Sequence, residues 1–240
     1  MPAEHIMKSY DDELGRLNKM IVEMGGLAES QLASAIDAVA KRDSALAARV
    51  VEGDARVDEL ERELDNLAIR LLALRQPMAR DLREIFAALK IGSDLERICD
   101  YAANVAKRSI ALAQTPPIQP VHALPRMGVL ALRLVKDVID AYVERDADKA
   151  LDVWRRDEEL DEMYSSLFRE FLTYMMEDPR NIGPCTHLLF MAKNIERIGD
   201  HATNIAEQLY YLVHGTPIVG ARPKGGTSSL DIMQPEPAGP

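Results

Sequence analysis

Four pairs of acidic residues, each pair spaced four residues apart, are the strongest candidates for chemistry in this chain. Residues four apart lie on one face of a helix, one turn above each other, so each pair presents two carboxylates together. Carboxylate oxygens suit Mg²⁺, Ca²⁺, Mn²⁺ or iron, whereas a cysteine–histidine zinc site needs other residues. The pairs are Asp54 and Asp58, Glu96 and Asp100, Asp157 and Asp161, and Glu196 and Asp200.

The first two pairs come into register if the chain turns at a proline between them. Asp54 and Asp100 lie 23 residues on either side of Pro77, and Asp58 and Glu96 lie 19 residues on either side. Proline interrupts helices because it lacks the backbone N–H and clashes with the preceding turn. An antiparallel hairpin that turns at Pro77 therefore brings the four carboxylates to matching heights.

The same register recurs in the second half, where both pairs are centred on the bond between Asp178 and Pro179. Like charges held this close repel each other unless they are protonated or neutralised by a cation. We therefore predict two cation sites, one in each half, on the surface of a helical bundle rather than inside a core. Weaker candidate ligands are the amides one turn further along, Asn104 and Asn204.

A solvated helix face is the competing interpretation of each acidic pair. Acidic stripes opposite an apolar seam are usually exposed. Arg97 lies three residues before Asp100, and Arg197 lies three residues before Asp200, so each arginine could form an ion pair with that aspartate. The recurrence of the pattern in both halves favours cation binding over this interpretation. A scaffold whose acidic faces only confer solubility remains an alternative hypothesis.

Six long helices must position these residues. Apolar side chains recur at steps of three and four, and no segment shows the period-two alternation of a half-buried strand. Asp43 or Ser44 could cap one helix and Asp146 another, whereas Gly25 and Gly26 are expected to interrupt the first helix. The predicted helices span residues 5–40, 44–75, 80–113, 123–144, 147–177 and 184–213.

The chain contains an internal duplication. Residues 94–106 align with residues 194–206 at an offset of 100, and seven positions are identical. Further upstream, Arg42 recurs as Arg145 at an offset of 103. Three helices are the minimum that enclose a core, so we predict an all-α fold of two tandem three-helix bundles, each able to form a bundle of its own. The predicted units are residues 1–115, a linker 116–122, residues 123–214 and a disordered tail 215–240.

Composition narrows the class of protein. The 240 residues carry a formal net charge of −10, which argues against a dedicated nucleic-acid binder. No apolar run approaches the ~18 residues of a membrane span, and the first residues lack the apolar segment of a signal peptide. The two cysteines, Cys99 and Cys185, fit a reducing compartment without a disulfide framework. We therefore predict a cytoplasmic protein, with Cys99 a small buried or semi-buried thiol.

An enzyme with a carboxylate-bridged pair of metal ions is the rival hypothesis. Ferritin-like sites use Glu-x-x-His motifs that face the bundle interior, and none of the five histidines here follows a glutamate by three residues. Phosphate-loop, dinucleotide, nucleophile-elbow and zinc-protease motifs are also absent from the sequence. We therefore predict no enzymatic activity.

The two repeated segments, together with residues 75–90, resemble the twin signature of the PhoU family over about residues 5–213. The resemblance implies two tandem three-helix bundles that bind multinuclear metal clusters through E(D)-x3-D motifs, which match the eight carboxylates above. It implies iron, manganese, magnesium or zinc as the metal, and it implies a homodimer. The chain departs from the family at Cys99, where a glycine is usual, as at Gly199.

The resemblance also implies a function. Members of this family are accessory regulators that restrain phosphate-starvation signalling and phosphate uptake when phosphate is plentiful, with no established catalytic activity. The implied partners are the ATPase subunit of a phosphate ABC transporter and a sensor histidine kinase. Contact with the membrane is expected only through these partners.

Overall fold

The computed structural model describes residues 2–75, 77–117, 123–220 and 222. It confirms an all-α fold of six helices, with no strand in the part of the chain it describes. Residues 118–122 of the predicted linker, and most of the predicted tail, lie outside the described residues. The helices are α1 (Pro2–Lys41), α2 (Ser44–Arg75), α3 (Ala79–Ala113), α4 (Leu124–Glu144), α5 (Ala147–Glu177) and α6 (Ile182–His214), with a 3₁₀ turn at Pro179–Asn181 before α6.

The duplication is visible in the matching turns that precede α2 and α5. Arg42 and Arg145 both adopt a left-handed backbone, with φ of 54° and 55°. This conformation is uncommon for residues other than glycine. The next residues, Asp43 and Asp146, cap the following helices, because each side chain accepts hydrogen bonds from two backbone N–H groups. Both predicted caps are thereby confirmed.

The side chains of these two arginines tie distant elements together. Arg42 donates to the backbone carbonyl of Leu112 at the end of α3, at 3.0 Å. Arg145 donates to Asn18 Oδ1 on α1, at 3.0 Å, and to the Glu84 carboxylate on α3. The turn of the second repeat is therefore anchored on two helices of the first.

The helices of the two halves share one core. α2 packs on α1 and α3, α5 packs on α4 and α6, and α3 and α6 pack on each other as extensively as α5 packs on α6. Buried apolar side chains from all six helices form one cluster. Each half does gather its three helices, but the two bundles enclose a continuous core rather than two separate ones.

Two close approaches between α1 and α4 repeat each other. A Cβ on Gly25 would lie 2.8 Å from Ile139 Cδ1, and a Cβ on Gly128 would lie 2.5 Å from Ile36 Cγ1. Both glycines and both isoleucines are separated by the repeat offset of 103. The expectation that the glycine pair interrupts the first helix is wrong, because α1 is continuous, and Gly25 lets α4 pack closely against it.

The α3–α6 interface repeats the same symmetry. The rings of Tyr101 and His201, which occupy equivalent positions, lie 5.6 Å apart between their centroids. His201 Nδ1 lies 2.7 Å from Asp94 Oδ1 on α3. The two halves are therefore related by an approximate twofold axis that passes between α1 and α4 and between α3 and α6. Within the described residues, no helix is both long and apolar enough to cross a membrane.

Candidate metal centres

The α2–α3 hairpin brings the first two acidic pairs together, as the register about Pro77 predicts. Burial raises the pKa of Asp54, and the negative charges of Asp100 on α3 and Asp58 on its own helix raise it further. Burial also raises the pKa of Glu96 to about 7, and neighbouring carboxylates including Asp100 and Asp58 add to the effect. The four predicted carboxylates thus form one half-buried group, called here the first cluster.

A fifth carboxylate, Glu61, belongs to the first cluster. Burial and the charges of nearby carboxylates including Asp58 raise the pKa of Glu61, and Glu61 in turn raises the pKa of Glu96. Its place three residues after Asp58 on the same helix face is a signal that sequence reasoning could have used. The comparison of repeats hid it, because the equivalent position in the second half is Tyr164.

The nearest cations neutralise only part of the first cluster. Arg97 Nη1 lies 3.4 Å from Asp100 Oδ2, the ion pair that the spacing allows, and Arg97 Nε lies 3.6 Å from Glu96 Oε2. The Arg97 side chain is 55% exposed, and exposed ion pairs contribute little. Lys107 is the second compensating charge, since it lowers the pKa of Asp54. In the part of the chain that the structure describes, five carboxylates therefore share the exposed cations Arg97 and Lys107.

Cys99 lies beside the first cluster and is fully buried, one of the two states that the sequence left open. Burial raises the pKa of its thiol well above the usual range, and all four predicted carboxylates of the cluster raise it further, with Asp54 contributing most. The thiol is therefore protonated in the protein as the structure shows it, and behaves as a small apolar group.

The second cluster, formed by the acidic pairs on α5 and α6, is built differently. The carboxylate of Asp157 is only 1% exposed, so the expectation of a surface site is wrong for this residue. It lies against Gly199, where an added Cβ would come within 2.8 Å of Asp157 Oδ1. Burial raises the pKa of Glu196, but Lys193 lowers it from a distance of 2.7 Å.

An arginine from beyond α6 completes the second cluster. Arg222 Nη2 lies 2.6 Å from Asp157 Oδ2 and 2.8 Å from Asp200 Oδ1. The negative charge of Asp161 also acts on this guanidinium. Sequence reasoning missed Arg222 because it treated residues 215–240 as a disordered tail, and no local pattern marks this arginine as a partner of α5 and α6.

The structure places the two amide candidates differently from the carboxylates. Asn204 Nδ2 donates to Asp94 Oδ1 across the α3–α6 interface, at 3.2 Å, beside the contact between Asp94 and His201. The amide group of Asn204 therefore serves the interface between the repeats. Asn104 is half-buried, one turn beyond Asp100.

The donor chemistry of the first cluster fits a hard or borderline cation. The charges of Asp58 and Asp100 raise the pKa of Asp54 and of Glu96, so the cluster concentrates negative charge in a half-buried place. No group of three or more His, Cys, Asp or Glu side chains in the described ranges converges closely enough to hold a single ion. The chain thus offers cation-binding oxygens in the predicted helical register without forming a finished coordination cage.

Comparisons with known proteins all match this chain to one family. A family model described as PhoU domain matches residues 21–109 and 124–209. A Caulobacter vibrioides protein named phosphate-specific transport system accessory protein PhoU homolog is 53% identical over 96% of this chain and 99% of its own length. A Rhizobium meliloti protein of the same name is 51% identical over 95% of this chain and 97% of its own length.

Solved structures agree with these relatives. The crystal structure of PhoU from Pseudomonas aeruginosa superimposes with a TM-score of 0.84 at 40% identity, covering 86% of this chain and 100% of that one. The phosphate transport system regulatory protein PhoU from Streptococcus pneumoniae gives a TM-score of 0.81 at 30% identity, covering 87% of this chain and 99% of that one.

Proposed function

The chain belongs to the PhoU family, and from this premise we propose that it is a negative regulator of phosphate-starvation signalling and phosphate uptake. It acts in the cytoplasm, as a homodimer, by contact rather than by catalysis. Its partners are the ATPase subunit of a phosphate ABC transporter and a sensor histidine kinase. The names of the curated relatives, which describe accessory proteins of a phosphate-specific transport system, support this role.

The observation that carries the proposal is the first cluster. Asp54 and Asp58 from α2, with Glu96 and Asp100 from α3, would hold a divalent or trivalent cation such as iron, manganese, magnesium or zinc. A bound cation supplies the positive charge that these carboxylates lack. Because the ligands come from both helices, binding ties the middle of the hairpin together and stiffens it.

Exposed apolar side chains at the end of the same hairpin support a contact role. Leu74 and Met78 are 71% and 79% exposed, and Leu82 and Phe86 on α3 are 46% and 48% exposed. Large apolar groups gathered at an exposed end are typical of protein interaction sites. We assign partner contacts to this hairpin tip, defined by these four residues, which the first cluster holds in position.

Gene deletion tests the regulatory role. Loss of the chain is expected to raise the output of a phosphate-starvation reporter in phosphate-rich medium, and the wild-type chain should restore repression. Unchanged output in the deletion strain would contradict the proposal for this copy of the protein.

Elemental analysis tests the cation. The double variant Asp54→Asn and Asp100→Asn should carry less metal than wild type, whereas Glu63→Gln, an exposed carboxylate on α2, should leave the content unchanged. Equal metal content in all three proteins would refute the assignment of the first cluster.

Affinity capture tests the hairpin tip. Leu74→Ser with Met78→Ser should reduce recovery of the ATPase subunit and the kinase from cells. Met176→Ser is the matched control, because this side chain is also 79% exposed but lies at the end of α5. Full recovery of both partners with the double variant would place the contact surface elsewhere.

A further inference from the structure

Arg222 is the one residue beyond residue 220 that the structure describes, and it reaches back to the second cluster. One nitrogen of its guanidinium, Nη2, bridges two carboxylates that belong to different helices, Asp157 on α5 and Asp200 on α6. The Arg222 side chain is 20% exposed, so this is a largely buried contact rather than a solvated one.

The cluster needs a counter-charge at this place. Asp157 is almost fully buried, and an unpaired buried carboxylate is costly. Arg222 lowers the pKa of Asp157 against the effect of burial, which is the direction expected of a charge partner. Gly199 lets the carboxylate lie this deep, because a Cβ there would come within 2.8 Å of Asp157 Oδ1.

The guanidinium and a metal ion cannot share these oxygens. Divalent cations lie about 2.0–2.6 Å from carboxylate ligands. Arg222 Nη2 is 2.6 Å from Asp157 Oδ2 and 2.8 Å from Asp200 Oδ1, so an ion bound to both oxygens would occupy the place of this nitrogen. Occupation by either one therefore requires that the other leave.

The two clusters differ in where their compensating positive charges come from. The first cluster is served by Arg97 and Lys107, which belong to α3, its own ligand-bearing helix. The second is served by Lys193 on α6 and by Arg222, which comes from outside the bundle. Among the described residues, the second cluster thus has a counter-charge that no helix carries.

We propose that Asp157 and Asp200 form a binding site for the guanidinium of Arg222, and that Arg222 and a divalent cation exclude each other there. This inference rests on the proposed function for its cation, and it adds a regulatory contact to it. Metal bound at the second cluster displaces the Arg222 side chain, and the docked guanidinium keeps metal out.

Mn²⁺ titration of the metal-free, full-length protein tests the competition. The background carries Asp54→Asn and Asp100→Asn, so that binding reports on the second cluster. Arg222→Ala is expected to tighten Mn²⁺ binding by about tenfold or more, a factor that corresponds to about 1.4 kcal/mol. The control is Arg180→Ala, which removes the same charge from a side chain that is 90% exposed.

Equal Mn²⁺ affinity for the Arg222→Ala and Arg180→Ala proteins would overturn the proposal. So would an absence of Mn²⁺ binding at the second cluster in every variant. In either case, Mn²⁺ binding by the protein with an intact first cluster would leave the proposed function standing. Loss of binding at both clusters would remove the cation from the proposed function as well.

Thermal unfolding in chelator gives a second readout that needs no metal. Arg222→Ala should lower the melting temperature of the wild-type chain, and it should have a smaller effect in an Asp157→Asn background, where the charge partner is gone. Equal effects in the two backgrounds would show that Arg222 is not bound by Asp157, and would overturn the docking itself.

Discussion

Glu61 and Tyr164 stand at equivalent positions of the two repeats, and this difference changes the charge of the clusters. Glu61 adds a carboxylate to the first cluster and accepts a hydrogen bond from Ser93. At the positions equivalent to these two, the second half has Tyr164 with Lys193 over its ring, 5.1 Å from the centroid, and Lys193 also pairs with Glu196. The first cluster therefore keeps the larger excess of negative charge.

This excess of negative charge predicts that the metal-free protein becomes less stable as the pH rises. The pKa of Glu96 is raised from 4.5 to about 7, so the folded protein binds more protons than the unfolded chain between these values. Stability is therefore lost as the pH rises through this window. In chelator at pH 8, Glu96→Gln should raise the melting temperature by about 2–4 °C, the shift produced by about 1 kcal/mol in a chain of this size.

Calorimetry at two pH values checks this prediction. The wild-type and Glu96→Gln proteins should converge near pH 5, where the glutamate of the folded protein is already protonated. Glu63→Gln should show no such difference. A wild-type protein that is more stable than Glu96→Gln at pH 8 in chelator would contradict the electrostatic account.

Among the elements, the helix ends were predictable and the helix contacts were not. Pro77, Pro179 and the capping residues Asp43 and Asp146 act within their own turns, so their effect can be deduced locally. The role of Gly25 depends on Ile139, more than a hundred residues away. The carboxylate register was predictable for the same reason as the helix ends, since it needs only helical geometry and a turn.

The adjacent glycines of α1 make a matched pair of tests. Gly25→Ala places a methyl group 2.8 Å from Ile139 Cδ1, whereas Gly26→Ala meets no atom within 4 Å. Overpacking costs about 1–3 kcal/mol, and alanine in place of glycine gains up to about 1 kcal/mol in a helix. Denaturant unfolding should therefore show that Gly25→Ala destabilises the protein and Gly26→Ala stabilises it.

Equal effects of the two substitutions would contradict the close approach of α1 and α4. The sign of each change in the free energy of unfolding is more informative than its size, because both variants make the same change in unfolded-chain entropy and helix propensity. Only the contact with α4 differs between them.

For the whole molecule, the shared core predicts one cooperative unfolding transition. Trp154, the single tryptophan, lies on α5 and reports on the second half, while far-UV circular dichroism reports on all six helices. Because α3 and α6 pack extensively on each other, neither half can lose its structure without exposing the apolar surface of the other. Urea midpoints from fluorescence and circular dichroism should coincide.

Two separate midpoints would show that the halves unfold independently.

This long-range packing, like the docking of Arg222, could not be deduced from the sequence, because repeats and periodicity describe segments and not the way in which segments meet. Asn204 illustrates the limit. Its spacing from Asp200 suggested a ligand, and its amide nitrogen instead binds Asp94 on the other half.

The reciprocal contacts of Gly25 with Ile139 and Gly128 with Ile36 have a meaning in evolutionary history. A twofold interface between identical chains requires each contact to occur twice with the partners exchanged. Two copies of a single repeat could meet the same requirement as a dimer, and we interpret the duplicated chain as such a dimer joined into one polypeptide. Within one chain the two sides of the interface need not be identical, and here Tyr101 on one side faces His201 on the other.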